Sequence, residues 1–383
     1  MTARPTTEVC PVGPLPDGLD PDRTVPVRSI TLPDGRTYWS VADHALARRV
    51  LSDPRFSREA AVAPGTEKLM TVNPSADSII SMDGARHTRI RRLIAGAFTE
   101  RRVAEFRPAV ERFSTELLDR LADQGPPADL VAHYSSRLSL SVLCHVLGVP
   151  LEDEPEFRSL VPVLFQLDGD ETEGRRKAYL LAQYMNRLVT RKRRHPGRDL
   201  LTTLVEAGDD GDRLSSRELV TLSLALLMAG YDTTGDQITL AVLAVLLDPQ
   251  RRQAVTTRPD EVPELVEDLL RHTPSTPLSF TRVATEDVEL GDVLVARGES
   301  VVVFAMGANR SPGSGPGPAP RHLTFGYGPH RCVGAPLARL QLVSALRGIG
   351  ERLPGLTLAE DPENLPWKPV GVTRGLSRMR VTW

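Results

Sequence analysis

Phe325-Gly-Tyr-Gly-Pro-His-Arg-Cys-Val-Gly-Ala335 runs directly into Pro336-Leu-Ala-Arg-Leu-Gln-Leu-Val-Ser-Ala-Leu346. The second stretch is amphipathic, and Pro336 suits a first helical turn, so Cys332 stands just ahead of a helix N-terminus. There the helix dipole and unpaired N–H groups favour an anion, which lowers a thiol's pKa and makes Cys332 a candidate thiolate ligand. Gly326, Gly328 and Gly334 would let the backbone approach a flat ligand and aim amides at the sulfur. The plainer alternative is a buried, inert cysteine in a glycine-rich turn.

Working outward, most of the chain carries helical periodicity: residues 86–98, 101–122, 133–147, 174–194, 215–247, 261–271 and 335–352. The β content is small. Residues 30–39 predict two short strands around a Pro33-Asp34-Gly35 turn, and residues 288–304 predict a second β patch. The segment 215–247 opens on Ser215-Ser-Arg-Glu218, a capping box, and closes at Asp248-Pro249. A helix of that length, about 50 Å at 1.5 Å per residue, would cross the whole molecule. At its centre the polar run Tyr231-Asp-Thr-Thr-Gly-Asp-Gln237 is flanked by apolar residues on both sides, so a solvated face does not explain it. Gly230 and Gly235 weaken the helix there by about 1 kcal/mol each and invite a local distortion.

Composition narrows the function classes. With 47 Lys+Arg against 49 Asp+Glu, net −2, the chain has no global field for nucleic acid or acidic lipid. Cys10, Cys144 and Cys332 have no paired spacing, which excludes a disulfide framework and a zinc knuckle and points to a reducing, cytoplasmic setting. Prolines interrupt the first thirty residues, so no apolar secretory core is expected, and residues 1–25 are a Pro-rich leader to a single domain spanning 1–383. Leu222–Gly230 and Ile238–Leu247 are too short to span a membrane.

Phe325, Gly328, Cys332 and Gly334 fill every position of Phe-x-x-Gly-x-x-x-Cys-x-Gly, and the chain thereby resembles the cytochrome P-450 superfamily, its soluble bacterial type most of all. The resemblance covers roughly residues 25 to 383 and implies a mainly α fold with a small β portion, the triangular prism built around a long central helix. It implies haem b, with Cys332 as the axial thiolate that favours O–O cleavage, in a loop that runs from Phe325 and Gly326 to Gly334. His330, His87, Arg91 and Arg282 match residues that hold haem propionates. His87 and Arg91 stand at i and i+4, one helix face, as two groups able to carry positive charge, although alone they would read as a solvated basic face.

Ala229-Gly-Tyr-Asp-Thr-Thr234 resembles the oxygen-activating motif of that family. Ala229 would leave space for O2, Asp232 would relay protons from solvent, and Thr233 would hold the bound oxygen and its waters for protonation. A threonine back-bonding inside its own helix is the bland alternative. The implied reaction draws electrons from NAD(P)H through ferredoxin reductase and ferredoxin to hydroxylate, couple or desaturate a small organic molecule. The implied protein is a monomer. Arg101, Arg102 and Arg331 are candidates for a basic docking face for ferredoxin.

Two departures stand out. Asp268-Leu-Leu-Arg271 replaces a Glu-x-x-Arg motif, which predicts a strained or water-bridged pair with Arg271, and the Gly/Pro-rich stretch 310–321 is shorter than usual and lacks aromatics. Both lean toward the rival reading, a haem-free relative that activates a glycosyltransferase. Phe165, Leu167, Leu278 and Phe280 suggest an apolar pocket wall, with Gln166, Asn73 and Thr276 offering hydrogen bonds. A secondary metabolite such as a polyketide fits, or a cyclic dipeptide, since residues 56–63 are similar to members that act on such compounds.

Overall fold

The computed structural model describes residues 13–15, 19–22, 24–31, 35–64, 66, 75–160, 171–206, 214–311, 321–369 and 373–383. The chain opens with strands β1 (Val27–Thr31) and β2 (Thr37–Val41), paired antiparallel with Ser29 opposite Trp39; most of the turn predicted between them lies outside the described residues. Helix α1 (His44–Ser52) starts where Asp43 accepts the amides of Ala45 and Leu46. Strand β3 (Phe56–Ser57), helices α2 (Gly84–Ala95) and α3 (Glu100–Gln124), strand β4 (Ala128–Asp129) and helix α4 (Ser136–Leu147) follow. Next come α5 (Glu154–Leu160), α6 (Glu171–Arg194), α7 (Leu200–Glu206) and α8 (Ser216–Leu247). After them are α9 (Pro249–Thr257), α10 (Val262–His272), β5 (Arg282–Ala284), the hairpin β6 (Val288–Leu290) and β7 (Val293–Val295), and β8 (Ser300–Val303). The chain finishes with α11 (Ala305–Arg310), α12 (Ala335–Arg352), β9 (Thr357–Leu358) and β10 (Arg380–Thr382).

The predicted late β patch divides. β6 and β7 form a separate hairpin, while β8 joins a sheet ordered β1-β2-β8-β5-β3, with Trp39 of β2 parallel beside Val301. That sheet covers its own apolar cluster, including Val41, Phe56, Val301 and Val303. The larger core lies among α3, α4, α6, α8, α10 and α12.

Helix α8 runs through the middle of that core. The predicted capping box is present: Ser215 Oγ accepts from the Glu218 amide, and Glu218 accepts from the Ser215 amide at 2.8 Å. From Thr234 to Val245 every residue is buried. Asp236, Gln237 and Thr239 in that stretch have partners, as burial demands. Gln237 donates to the Thr273 carbonyl at 3.0 Å and accepts from the Ser275 amide at 2.8 Å.

The distortion expected at Gly230 and Gly235 is absent, and α8 passes both glycines without a break. Their smallness serves packing instead. A Cβ on Gly230 would lie 2.7 Å from a Leu143 methyl, and one on Gly235 would lie 3.4 Å from Ser136 Cα. The glycines therefore let α4 cross α8 closely enough for Ser139 Oγ to donate to the carbonyls of Gly230 (3.1 Å) and Tyr231 (2.7 Å). Among the described residues, no helix is long and apolar enough to cross a membrane.

Candidate active site

Cys332 is placed where the sequence predicts, on the loop that enters α12. Its amide donates to the Phe325 carbonyl at 2.8 Å, closing the loop, and Arg339 of α12 lies over the Phe325 ring at 4.6 Å. Gly326 and Gly328 both take positive φ, +69° and +70°. The reason for Gly328 is a neighbour and not a ligand: a Cβ there would lie 2.6 Å from the Leu51 carbonyl at the end of α1. Gly334 acts on the sulfur as expected, because its N–H points at the thiol.

The charge state of Cys332 departs from expectation. The residue is exposed, yet protein lies densely around its sulfur, and this burial pushes the thiol pKa up. The Gly334 amide and the guanidiniums of Arg91, Arg331 and Arg339 pull the other way without prevailing. The helix end alone does not make this thiol a thiolate; coordination to a metal cation, which deprotonates a thiol outright, would.

The predicted propionate contacts come together at one edge. The rings of His87 and His330 lie 4.2 Å apart, and His330 Nε2 is 3.3 Å from Asp83 Oδ1. Arg91 donates to the Arg331 carbonyl, tying α2 to the cysteine loop. His87 is 3% exposed, and burial first, then His330 and Arg91, lowers its pKa to about 4. It is thus a neutral ring packed on His330, not the cation its i, i+4 spacing to Arg91 allowed.

Sequence reasoning missed Arg58, which is 4% exposed beside Arg282. Its Nε donates to the Ile80 carbonyl at 3.0 Å, another nitrogen donates to the Thr281 carbonyl, and its guanidinium covers the Phe280 ring at 5.1 Å. Burial lowers Arg58 to about 9, with Arg282 adding repulsion, and burial lowers Arg282 to about 10. Asp83 is the carboxylate that offsets both. It also accepts the amides of Arg58 (2.8 Å) and Glu59 (2.9 Å) and the hydroxyl of Ser57 (2.7 Å). The signal available in the sequence was weak: an arginine next to a short Phe-Ser strand.

On α8, Ala229 is exposed although it sits mid-helix in a buried element, so the helix faces open space there. Thr233 Oγ1 donates back to the Ala229 carbonyl at 2.6 Å. Asp232 accepts from Lys368 Nζ at 2.9 Å and from Thr373 Oγ1 at 3.0 Å. Lys368, Thr373 and the neighbouring acid Asp236 were not singled out from sequence, because 132 or more residues separate the two sides of the cluster.

Other expectations shift. Asp268 turns to Arg251 at 3.2 Å and His272 at 3.1 Å, and Arg271 adds only a more distant charge while donating to the Asn309 carbonyl at 3.4 Å. One methylene shorter than Glu, Asp268 takes the cation nearest its own helix face. The adjacent Glu267 instead grips Arg339 and His322, at 2.5 Å and 3.2 Å. Leu278, expected on the pocket wall, is buried under the sheet with Ile30, Tyr38 and Phe304. Phe280 and Thr276 are half-buried, whereas Asn73, Phe165, Gln166, Leu167 and most of 310–321 lie outside the described residues.

The donor set suits a haem. Two buried guanidiniums share one carboxylate, and Arg91 stands at the same edge, an excess of positive charge that two propionates would neutralise. A soft sulfur ligand with an amide aimed at it completes the set.

Residues 154–349, just over half of the chain, match the family Cytochrome P450. The chain is 41% identical over 373 residues to nocardicin C N-oxygenase of Nocardia uniformis subsp. tsuyamanensis, covering 94% of this chain and 92% of that one. It is 36% identical to mycinamicin IV hydroxylase/epoxidase of Micromonospora griseorubida, with coverage of 94% and 93%. The solved structure of TxtC, a cytochrome P450 of sequential aliphatic and aromatic thaxtomin hydroxylation, superposes with a TM-score of 0.86 at 32% identity, covering 94% of this chain and 97% of that one. The chain belongs to the cytochrome P450 family, and it is a monooxygenase, for which the family implies a haem cofactor.

Proposed function

We propose that this enzyme is a single-domain, monomeric, cytoplasmic haem-thiolate monooxygenase that takes electrons from NAD(P)H through a ferredoxin and oxidises a medium-sized secondary metabolite. The observation that carries the reading is Cys332: its sulfur receives the Gly334 amide at the head of α12, among three guanidiniums. Relatives named for oxidising nocardicin C and mycinamicin IV support a medium-sized secondary-metabolite substrate, such as the polyketide or cyclic dipeptide expected from sequence.

When bound, haem supplies the electron transfer and oxygen activation that side chains cannot. Cys332 would hold the iron, and the Gly334 N–H would temper the sulfur's charge. Arg282, Arg91 and Arg58 would neutralise the propionates while His87 donates a neutral N–H bond; His330, whose Nε2–H is turned to Asp83, would reach a propionate as a donor only in its protonated form. Thr233, its own proton committed to Ala229, presents lone pairs that can accept a water proton and so hold that water in place. Asp232 would pass protons inward from the Lys368 side. Phe280 and Thr276 would line the substrate space.

The absorption spectrum of the reduced protein under carbon monoxide tests the reading. A strongly red-shifted Soret band is expected, and Cys332→Ser should abolish it. An unshifted band, or protein that takes up no haem, would overturn the thiolate assignment.

A further inference from the structure

Asp236 lies one helical turn beyond Asp232 on α8, and Lys368 Nζ sits between them, 2.9 Å from Asp232 Oδ1 and 2.8 Å from Asp236 Oδ1. Asp236 is 3% exposed, whereas the Lys368 side chain is 28% exposed, so the ammonium is the member that reaches solvent. Room for Asp236 depends on Gly375, where a Cβ would lie 2.2 Å from Oδ1.

The described residues on both sides of the lysine's turn are bonded in place. Its Lys368 amide donates to the Gly375 carbonyl at 2.9 Å, and the Arg374 amide donates to the Ser275 carbonyl at 2.6 Å. Ser275 Oγ in turn donates to the Thr233 carbonyl at 2.9 Å, so the clasp around the acids is bonded to the backbone of the alcohol.

Two carboxylates and one ammonium carry net −1, and burial disfavours that uncompensated charge. Among the described residues, the groups around the trio do not place a further cation on the two acids. Thr373 donates to Asp232, the Arg374 guanidinium lies over the Trp367 ring at 5.3 Å, and the turn before α4 offers His133, which bonds to the Asp129 carbonyl at 3.1 Å. Burial, then the charge of Asp232, accordingly raises Asp236 to about 7 against the pull of Lys368.

We propose that Asp232, Lys368 and Asp236 form a one-proton store that feeds the Thr233 end of the site, with Asp236 as a positioning residue that keeps Lys368 from holding Asp232 permanently ionised. The inference rests on the monooxygenase reading above. Loaded, the trio is neutral. Release of one proton toward Thr233 leaves it at −1. A proton from solvent then enters the carboxylate pair along the exposed side of Lys368, whose ammonium both acids hold charged, with its pKa raised to about 12, and the trio is neutral again with no electron moved. Without Asp236, Lys368 would serve Asp232 alone and hold it as a carboxylate.

Infrared titration of the haem-loaded protein reads the store directly. The carbonyl stretch of a protonated carboxyl should fade between about pH 5 and pH 9. Asp236→Asn should remove it. Lys368→Met should move its midpoint up by about one pH unit or more, and Asp232→Asn should move it down, because one removes an opposite charge and the other a like one. In parallel, Asp236→Asn should raise hydrogen peroxide released per NADPH by about threefold at pH 8.

No titrating band, or midpoints that ignore both neighbours, overturns the store. A protein with a red-shifted carbon monoxide complex and no such band overturns the store and leaves the monooxygenase reading standing. A titrating band in a protein without that shift overturns the monooxygenase reading, and with it delivery to Thr233.

Discussion

Thr233 donates its proton to Ala229 within α8, so the part proposed for it in catalysis would come through its lone pairs and a water they accept from. Thr233→Ala should therefore leave haem binding intact while peroxide per NADPH rises by about threefold to tenfold, the scale of losing one proton-transfer aid; unchanged coupling would remove Thr233 from proton delivery. His87 makes a different prediction. Folded, it titrates near 4 against an ordinary 6.5, so as pH falls the unfolded chain takes up the proton first. Stability from this group is whole above 6.5 and declines between 6.5 and 4, by on the order of 2 kcal/mol. His87→Gln should flatten the acid limb of urea-unfolding free energy over that window. Cys332, Thr233 and Arg282 were legible in sequence because short motifs carry them. Arg58 and Lys368 were not, because each is defined by what lies beside it in space: Arg282 for one, a carboxylate pair for the other.

At the scale of elements, equal substitutions should have unequal results. Gly230→Ala gains about 1 kcal/mol of helix propensity, and the atom it meets is the end of a Leu143 side chain, which can turn aside. Gly350→Ala on α12 gains the same propensity but meets the Val255 carbonyl at 2.3 Å, a backbone group fixed in α9. Thermal unfolding should show little change for the first and a loss of about 2 kcal/mol or more for the second; equal midpoints would mean that α12 and α9 separate readily. The long helices matched their periodic stretches within a few residues, α12 at both ends and α8 to within one residue because its cap is written in Ser215 and Glu218. Helices α1, α9 and α11 escaped notice because 6 to 9 residues give too few turns for a period to show. Asp248-Pro249 was read only as the end of α8. It also starts α9, with Asp248 accepting the amides of Gln250 and Arg251.

Across the whole molecule the net charge of −2 gives an acidic ferredoxin no attraction, so docking must rest on local charge. The proposed face is where the cysteine loop reaches the surface. Arg331 is exposed there, and α3, which packs on α12, presents exposed Arg101 and Arg102 in its first turn. Arg102 is partly offset by Glu105 at 2.7 Å, which leaves Arg101 and Arg331 as the stronger steering charges. Exposed charges attract over about 10 Å at 0.1 M salt and over about 3 Å at 1 M. Reduction by an acidic ferredoxin, followed by stopped flow, should slow by about tenfold from low salt to about 0.5 M. Arg101→Glu should slow it about threefold at low salt and leave it unchanged at high salt, since the lost term is the screened one. A variant equally slow at both ends would locate the effect in contact packing, and a wild-type rate indifferent to salt would remove the charged face from the account of electron delivery.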